Sequence, residues 1–316
     1  MGIKVYIVNA FTKNNQGGNG AGVVICDEPL NKLEMSIIAK EIGLSETAFA
    51  LENKKKKGKN KEDFDYEVRF FTPTQEVDLC GHATIATFYT LGKLGFIKID
   101  DENGRKNLKQ KTKAGILDVE VNFKDGKVKN VLMTQGNPKF DFIIEDSSEL
   151  CDILAIKNDD IMDKIKPQAV STGLLDIMFP VKDLETLRNI NPDFQRLKSI
   201  SEKLRIIGLH AFTFETEKKE STVSTRNFGP AAGIDEESAT GTSNGALTAY
   251  LIKNNLLNLD ENDEVVVSCE QGYYMGNPSE IIVKGCKKND SITIKVGGCA
   301  FIKEIRYVDL GKLKSL

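Results

Sequence analysis

The chain has 316 residues, of which 40% are hydrophobic and 28% charged, and its formal net charge is −3 at pH 7. Because the 43 basic residues nearly balance the 46 acidic ones, the composition argues against binding to nucleic acid or to an anionic membrane surface. The length exceeds that of one compact hydrophobic core, so two domains are expected.

The sequence contains no apolar run long enough to cross a bilayer, and its first residues lack the basic and apolar regions of a signal peptide. Its six cysteines are widely spaced and include no C-x-x-C pair, which argues against a zinc cage or a disulfide framework. We therefore expect a cytoplasmic protein with reduced thiols.

The N-terminal region predicts two strands around a glycine-rich loop. Apolar runs at 5–11 and 21–25 flank the loop at 16–20, which contains three glycines. Further along, the lysine-rich segment 54–61 lies between two strand-like runs. A charge run of this kind is typical of a solvated loop, and we predict one here.

A helix is predicted after Pro29, because leucine and isoleucine recur there at helical spacing. Asn31 and Glu34 are placed as a capping box at its start, and Gly43 is placed to end it. The strand pattern resumes at 47–51.

A β-hairpin is predicted near the middle of the chain. Apolar residues alternate at 117–123, Asp125 and Gly126 supply a tight turn, and a second strand returns at 128–133. We place the domain boundary just before this hairpin. The expected N-terminal lobe comprises residues 1–115 and 300–316, and the expected C-terminal lobe comprises residues 116–299.

Two segments, 83–95 and 243–255, are long enough for helices and are apolar around most of their circumference. Such helices are buried, so strands should surround each of them. The sequences before them also match: 69–73 and 226–230 share Arg, Phe and Pro, and each leads to a helix that starts at a glycine. The ordered set of matches predicts two pseudo-symmetric lobes.

The two glycines, Gly81 and Gly241, leave free N–H groups at the positive end of a helix dipole. Two such ends facing one another across a cleft would hold a carboxylate or a developing enolate. Either glycine alone could serve only a tight turn, but their duplication favours a site.

Few side chains near these helix starts can move a proton. His82 follows Gly81, where the helix dipole should lower its pKa and keep the ring neutral. Glu46 interrupts a hydrophobic approach to a strand and is a candidate base, although such a glutamate often faces water. The acidic cluster 235–237 is typical of a solvated loop, yet one member could turn inward as a partner of His82.

Cys80 invites comparison with cofactor-free racemases, which use one thiol on each face of the substrate carbon. Its counterpart in the repeat is Thr240, whose hydroxyl is too weak an acid to replace a thiol. The sequence therefore argues against a two-thiol mechanism and favours a packing role for Cys80.

The chain resembles the phenazine-biosynthesis PhzF-like isomerases over essentially its full length. The segments that carry the resemblance are, in order, VNAFTKNNQGGNGAGVVI, LSETAFAL, VRFFTPTQEVDLCGHATIAT, NFGPAAGIDEESATGTSNGAL and QGYYMGNPSEIIV. The resemblance implies the diaminopimelate epimerase-like α+β fold, in which each of two pseudo-symmetric lobes is a curved, mostly antiparallel sheet wrapped around a central helix. The active site would then lie between the lobes.

The family's best-known reaction moves a hydrogen between ring carbons of a dihydro-hydroxyanthranilate without metal or organic cofactor. The resemblance implies that Glu46 is the proton-shuttling glutamate and that His82 assists it. The family has an aspartate and a serine where this chain has Glu237 and Thr242, and a proline where it has Gly20. These changes keep the chemical type and alter reach and volume, which affects substrate identity more than reaction class.

We accordingly predict a cofactor-independent biosynthetic isomerase that acts on a small unsaturated or amino-substituted carboxylic acid, with no metal, and that forms a homodimer. The predicted catalytic residues are Glu46, His82 and Glu237. The predicted substrate-binding residues are Gly18, Asn19, Cys80, Gly81, Gly241 and Thr242. Two alternatives stay open: an epimerase or racemase with a non-thiol base, and a former enzyme that now acts as an interaction protein.

Overall fold

The computed structural model describes residues 2–54, 63–163 and 165–313. Nearly all of the predicted solvated loop at 54–61 lies outside these residues. The chain divides into two compact units, the first formed by Met1–Thr134 with Gly297–Leu316 and the second by Gln135–Val296.

The strands of the first unit are β1 (Ile3–Thr12), β2 (Asn19–Cys26), β3 (Glu46–Glu52), β4 (Tyr66–Phe71), β5 (Glu76–Val77), β6 (Arg105–Thr112), β7 (Gly115–Lys124) and β8 (Lys127–Thr134). Its helices are α1 (Lys32–Ile42), α2 (Gly81–Lys93) and the C-terminal α7 (Leu310–Leu313).

The strands of the second unit are β9 (Lys139–Ile143), β10 (Gln168–Ser171), β11 (Leu175–Pro180), β12 (Gly208–Thr213), β13 (Val223–Gly229), β14 (Ile234–Glu237), β15 (Glu264–Gln271) and β16 (Ser279–Lys288). Its helices are α3 (Ser148–Ile153), α4 (Leu184–Asn189), α5 (Phe194–Leu204) and α6 (Gly241–Lys253). The long strand β17 (Ser291–Val308) begins in the second unit and ends in the first.

Most strand pairs of the first unit are antiparallel: β1 pairs with β2 and with β17, β3 with β4, β4 with β5, β6 with β7 and β7 with β8. Two pairs are parallel, β2 with β3 and β4 with β6. The chain crosses through α1 to make the first parallel pair and through α2 to make the second, because parallel neighbours need a crossover connection.

Local signals in the first unit act as the sequence predicts. The Asn31 side chain accepts from the Glu34 N–H at 3.0 Å and Glu34 accepts from the Asn31 N–H at 3.1 Å, so the capping box of α1 is complete. Gly43 ends the helix with φ 68°. Asp125 and Gly126 both take left-handed conformations in the turn between β7 and β8, which confirms the predicted hairpin.

The helix α2 is buried along most of its length and packs on β1, β2, β3 and β8. A Cβ atom at Gly92 would lie 2.6 Å from Val128 and 3.5 Å from Phe123, which shows how closely the hairpin covers the helix. The hairpin therefore lies within the first unit, and the boundary after Thr134 differs from the expected one before residue 116.

The second unit repeats the pairing scheme of the first. Its parallel pairs are β11 with β12 and β13 with β15, and its antiparallel pairs include β10 with β11, β12 with β13, β13 with β14 and β15 with β16. The helices α4 and α5 provide the crossover between β11 and β12. The helix α6 packs on β10, β11 and β16 and is as buried as α2.

Strand register confirms the repeat residue by residue. Arg69 on β4 lies opposite Phe49 on β3, and Arg226 on β13 lies opposite Ala211 on β12. Each arginine bonds a glutamate on the next strand, Glu76 at 2.7 Å in the first unit and Glu236 at 2.8 Å in the second. The predicted pair of lobes, each with a mostly antiparallel sheet around a buried helix, is confirmed.

Candidate active site

A glutamate and a histidine meet at the start of α2. Glu46 is the first residue of β3, and His82 is the second residue of α2. Their Oε2 and Nε2 atoms lie 3.3 Å apart, with 20% of the Glu46 side chain and 10% of the His82 side chain exposed. The structure thus brings together the two residues that the sequence singled out, 36 positions apart, in one partly enclosed pair.

The imidazole of His82 is held by further polar groups. Its Nδ1 lies 3.4 Å from the Cys80 thiol, and its Nε2 lies 3.4 Å from the Ser45 hydroxyl. The backbone of Gly20 also accepts a hydrogen bond from the ring. These contacts come from three segments of the chain and fix the ring against rotation.

Burial lowers the pKa of His82, because desolvation penalises the charged imidazolium. The Glu46 carboxylate and the Gly20 backbone act in the opposite direction, but burial is the larger effect. The direction agrees with the expectation from sequence. The main cause is burial, where the sequence argument had invoked the helix dipole.

The Glu46 carboxylate is only partly satisfied. Its Oε2 atom is buried and has no hydrogen-bond partner among the residues that the structure describes. The 3.3 Å contact with His82 has the distance of an ion pair without the geometry of a hydrogen bond. An oxygen in this state keeps an open lone pair, which a base requires.

The predicted substrate-binding residues Gly18 and Asn19 lie where the loop enters β2. Gly18 has φ +83°, and a Cβ atom there would lie 2.3 Å from the Ala10 carbonyl, so only glycine fits. Asn19 pairs with Ala10 in the β1–β2 ladder. Gly18 and Asn19 thus position the backbone of Gly20 beside His82. Contact of Gly18 and Asn19 with the substrate stays a prediction.

The helix α2 starts with backbone N–H groups that make no intrahelical hydrogen bond. Cys80 is its N-cap residue, and the thiol does not cap the helix. The first intrahelical bond from backbone is made by the Thr84 N–H to the Cys80 carbonyl. The N–H groups of the first turn, beginning at Gly81, are therefore left for other acceptors, as an anion site requires.

The other predicted residues lie at or near the start of α6 in the second unit. Thr240 is the N-cap residue, and its hydroxyl donates to Glu237 Oε2 at 2.5 Å. The Thr242 carbonyl accepts from the Thr172 hydroxyl at 3.0 Å. Of the acidic cluster 235–237, Asp235 is exposed, Glu236 binds Arg226, and Glu237 is the member that turns to the helix start.

Sequence reasoning missed Asp176 on β11. Its side chain is buried, its Oδ2 accepts from the Ser243 hydroxyl at 2.6 Å, and burial raises its pKa to about 6. The available signal was one aspartate inside an apolar strand, LDIMFP.

Asp176 lies opposite Gly208, which is the counterpart of Glu46. A Cβ atom at Gly208 would lie 1.8 Å from the Phe228 carbonyl. The second unit therefore cannot carry a side chain where the first carries Glu46.

The same cluster offers metal-binding atoms. One ligand atom each from Glu46, Cys80 and His82 lies within 4.8 Å of the others. Thiolate, imidazole and carboxylate together suit a divalent ion such as Zn²⁺. The sequence predicts no metal here. Metal removal therefore distinguishes a metal-binding role of these three residues from a metal-free one.

This chain is similar in sequence to a known protein family. The model of the phenazine biosynthesis-like protein family matches residues 8–304. The chain belongs to this family. An uncharacterized isomerase of Clostridium acetobutylicum is 35% identical over 301 residues, which cover 94% of this chain and 95% of that protein.

Solved structures of the PhzF family share the fold. The phenazine biosynthesis protein of Bacillus anthracis superposes with a TM-score of 0.82 at 27% identity, covering 98% of this chain and all of that one. A predicted epimerase of Pseudomonas aeruginosa gives a TM-score of 0.69 at 20% identity, covering 97% and 99%, and supports the fold alone. The chain is thus a PhzF-like isomerase. No helix among its described residues is long and apolar enough to cross a membrane.

Proposed function

We propose that this isomerase moves a proton on a small unsaturated or amino-substituted carboxylic acid, with Glu46 as the general acid and base. The observation that carries the proposal is the buried Glu46 Oε2 atom, which has an open lone pair beside the neutral ring of His82. A carboxylate in this position can remove a proton from carbon and return it to a neighbouring carbon.

The remaining predicted residues bind the substrate in this proposal. The N–H groups near Gly81 and Gly241 hold the substrate carboxylate or the developing enolate, because helix starts favour negative charge. His82 and Thr242 contact polar substituents, and Glu237 orients an amino or hydroxyl donor. No metal or organic cofactor takes part.

Glu46→Gln tests the proposal. The variant keeps size and polarity but cannot accept a proton, so it should lower deuterium uptake from D₂O by about 10²-fold or more. The assay incubates the protein with a panel of small unsaturated and amino acids in D₂O and reads mass by mass spectrometry. Undiminished exchange in Glu46→Gln would exclude Glu46 as the base.

Two controls accompany this experiment. Glu52→Gln changes an exposed glutamate at the other end of β3 and should leave exchange unchanged. Exchange should also persist after dialysis against EDTA, whereas its loss and recovery with Zn²⁺ would show that the Glu46, Cys80 and His82 cluster works with a metal. Product analysis distinguishes the open alternative, because an epimerase would invert a stereocentre without moving a double bond.

A further inference from the structure

A continuous set of buried polar side chains runs through the second unit from β12 to Glu237. Its members lie on four elements and are all less than 10% exposed: His210 on β12, Asn227 on β13, Asn244 on α6, Gln271 on β15 and Thr240 at the start of α6. A buried polar network is stable only when each member is satisfied, so its hydrogen-bond directions can be worked out.

The backbone fixes the orientation of Gln271. Its Oε1 accepts from the Thr240 backbone N–H at 3.0 Å, and its Nε2 donates to the Glu237 backbone carbonyl at 2.6 Å. The same Nε2 lies 3.0 Å from the Thr240 hydroxyl. Since that hydroxyl accepts from Gln271, its single proton points to Glu237 Oε2 at 2.5 Å.

The backbone also fixes the orientation of Asn244. Its Nδ2 donates to the Thr240 carbonyl at 2.9 Å and to Gln271 Oε1 at 2.8 Å. Its Oδ1 therefore faces His210 Nε2 at 3.3 Å and the Thr225 hydroxyl at 3.5 Å. The single proton of Thr225 points to the closer Glu270 carbonyl at 2.9 Å, so Oδ1 takes its proton from His210. The donor on His210 is thus Nε2–H.

The charge of the ring determines whether the other nitrogen of His210, Nδ1, carries a proton. Burial lowers the pKa of His210 to about 4, so the ring is neutral and Nδ1 is an acceptor. The Asn227 atom that the structure places 2.9 Å from Nδ1 is Oδ1. Since the oxygen and nitrogen of an amide occupy nearly equivalent positions, a neutral ring requires the Asn227 amide to be turned so that its NH₂ group donates to Nδ1. Every bond from Asn227 through His210, Asn244, Gln271 and Thr240 then points in one direction, towards the Glu237 carboxylate.

The repeat shows that the fold does not require polar side chains at the positions of His210 and Asn227. By strand register, His210 corresponds to Ala48 and Asn227 to Phe70 in the first unit. Both of those residues are apolar and fully buried, and the same strands pair there in the same way. The first unit does bury one polar pair on its matching helix and strand, Thr84 with Gln110. Burying polar groups costs free energy relative to apolar packing, so the presence of His210 and Asn227 in the second unit alone indicates a task specific to that unit.

We infer that His210, Asn244 and Gln271 are positioning residues that hold the Glu237 carboxylate as a hydrogen-bond acceptor for an amino or hydroxyl donor on the substrate. This inference rests on the proposed function, since it assigns Glu237 a contact with the substrate of the same reaction. It adds that the substrate carries a donor group and that Glu237 does not deliver a proton through Oε2.

The first test needs no substrate. The chain has only two histidines, so protein labelled with ¹⁵N-histidine gives two sets of ring signals, and His210→Gln identifies the second set by its loss. The expected result is a neutral His210 with a protonated Nε2 at pH 7. A neutral ring protonated at Nδ1 instead would leave Asn244 without its donor from His210 and would overturn the inference, whatever the outcome of the Glu46 experiment.

The second test is kinetic and uses the acid of the panel that shows exchange. His210→Leu removes the donor to Asn244 and should lower kcat/KM by about 10- to 100-fold, whereas His210→Gln keeps an N–H donor and should recover to within about threefold of wild type. Thr213→Val removes a hydroxyl from the same strand outside the network and should leave kcat/KM unchanged.

A double-mutant cycle separates positioning from general destabilisation. If His210 acts through Glu237, His210→Leu should cost little further activity in a Glu237→Gln background. An equal loss in both backgrounds would mean that His210 only supports the fold and would overturn the inference. Because Glu46 is intact in all these variants, failure here is distinct from failure of the proposed base.

Discussion

The imidazole of His82 connects three groups that chemistry can use: the Glu46 carboxylate, the Cys80 thiol and the Gly20 backbone. A neutral ring can both donate and accept, so in the proposed mechanism it can hold a polar substituent of the substrate beside Glu46. The spacing of Glu46 and His82 in the sequence gave no measure of this contact. The resemblance to the family predicted the pair, and the packing of α2 on β3 brings the two side chains together.

The other histidine, His210, should make the stability of the protein depend on pH. The pKa of His210 in the folded protein is about 4, below the usual 6.5, so the unfolded chain binds more protons between these values. The contribution of His210 to stability is therefore complete above pH 6.5 and is lost as the pH falls through 4. It amounts to about 3 kcal/mol.

Urea unfolding at pH values from 7 to 4 measures this contribution. Between pH 6.5 and 4, wild type should lose about 3 kcal/mol more of its unfolding free energy than His210→Gln. The raised pKa of Asp176 acts in the opposite direction but is present in both proteins, so it cancels in the comparison. Parallel curves for the two proteins would show that His210 does not titrate as inferred.

At the scale of elements, the repeat provides paired sites for comparison. Arg226 bonds both oxygens of Glu236 and donates to the carbonyl of Ile190 at the end of α4, and only 8% of its side chain is exposed. Arg69 bonds one oxygen of Glu76, and 27% of its side chain is exposed. The two arginines thus share a position and differ in burial.

Arginine-to-lysine substitution at each position should reveal that difference. Arg226→Lys loses the two-pronged contact and leaves buried acceptors without donors, so it should cost about 2 to 4 kcal/mol of unfolding free energy. Arg69→Lys should cost less than about 1 kcal/mol, because Arg69 makes one bond to Glu76, is itself more exposed, and shares that carboxylate with Lys113. Denaturant unfolding measures both, and equal losses would contradict the distinction.

Local signals and the repeat predicted much of the fold. The capping box of α1, the hairpin turn and the burial of α2 and α6 follow from short-range residue patterns. The helices α3, α4 and α5 were not predicted. The His210 network escaped detection because its members lie on separate elements, and Asn244 alone carries no sign of a partner 34 residues away. Contacts of this kind depend on strand register, which a single sequence does not state.

For the whole molecule, the repeat explains why catalysis is asymmetric in this account. The first unit carries Glu46 at the start of β3, and the second has Gly208 at the matching position, where a side chain would collide with backbone. The second unit instead carries the buried polar residues His210 and Asn227 on the matching strands. In the proposed mechanism only the first of the two similar units therefore supplies a base.

The central claim is that a single carboxylate, Glu46, both removes and returns the proton. The most direct measurement uses a substrate deuterated at the carbon that loses hydrogen, with the position and face of the label in the product determined by NMR. We predict that deuterium arrives at the new carbon on the same face from which it left, together with partial exchange with water. Delivery of the proton to the opposite face would require a second acid and would contradict the account.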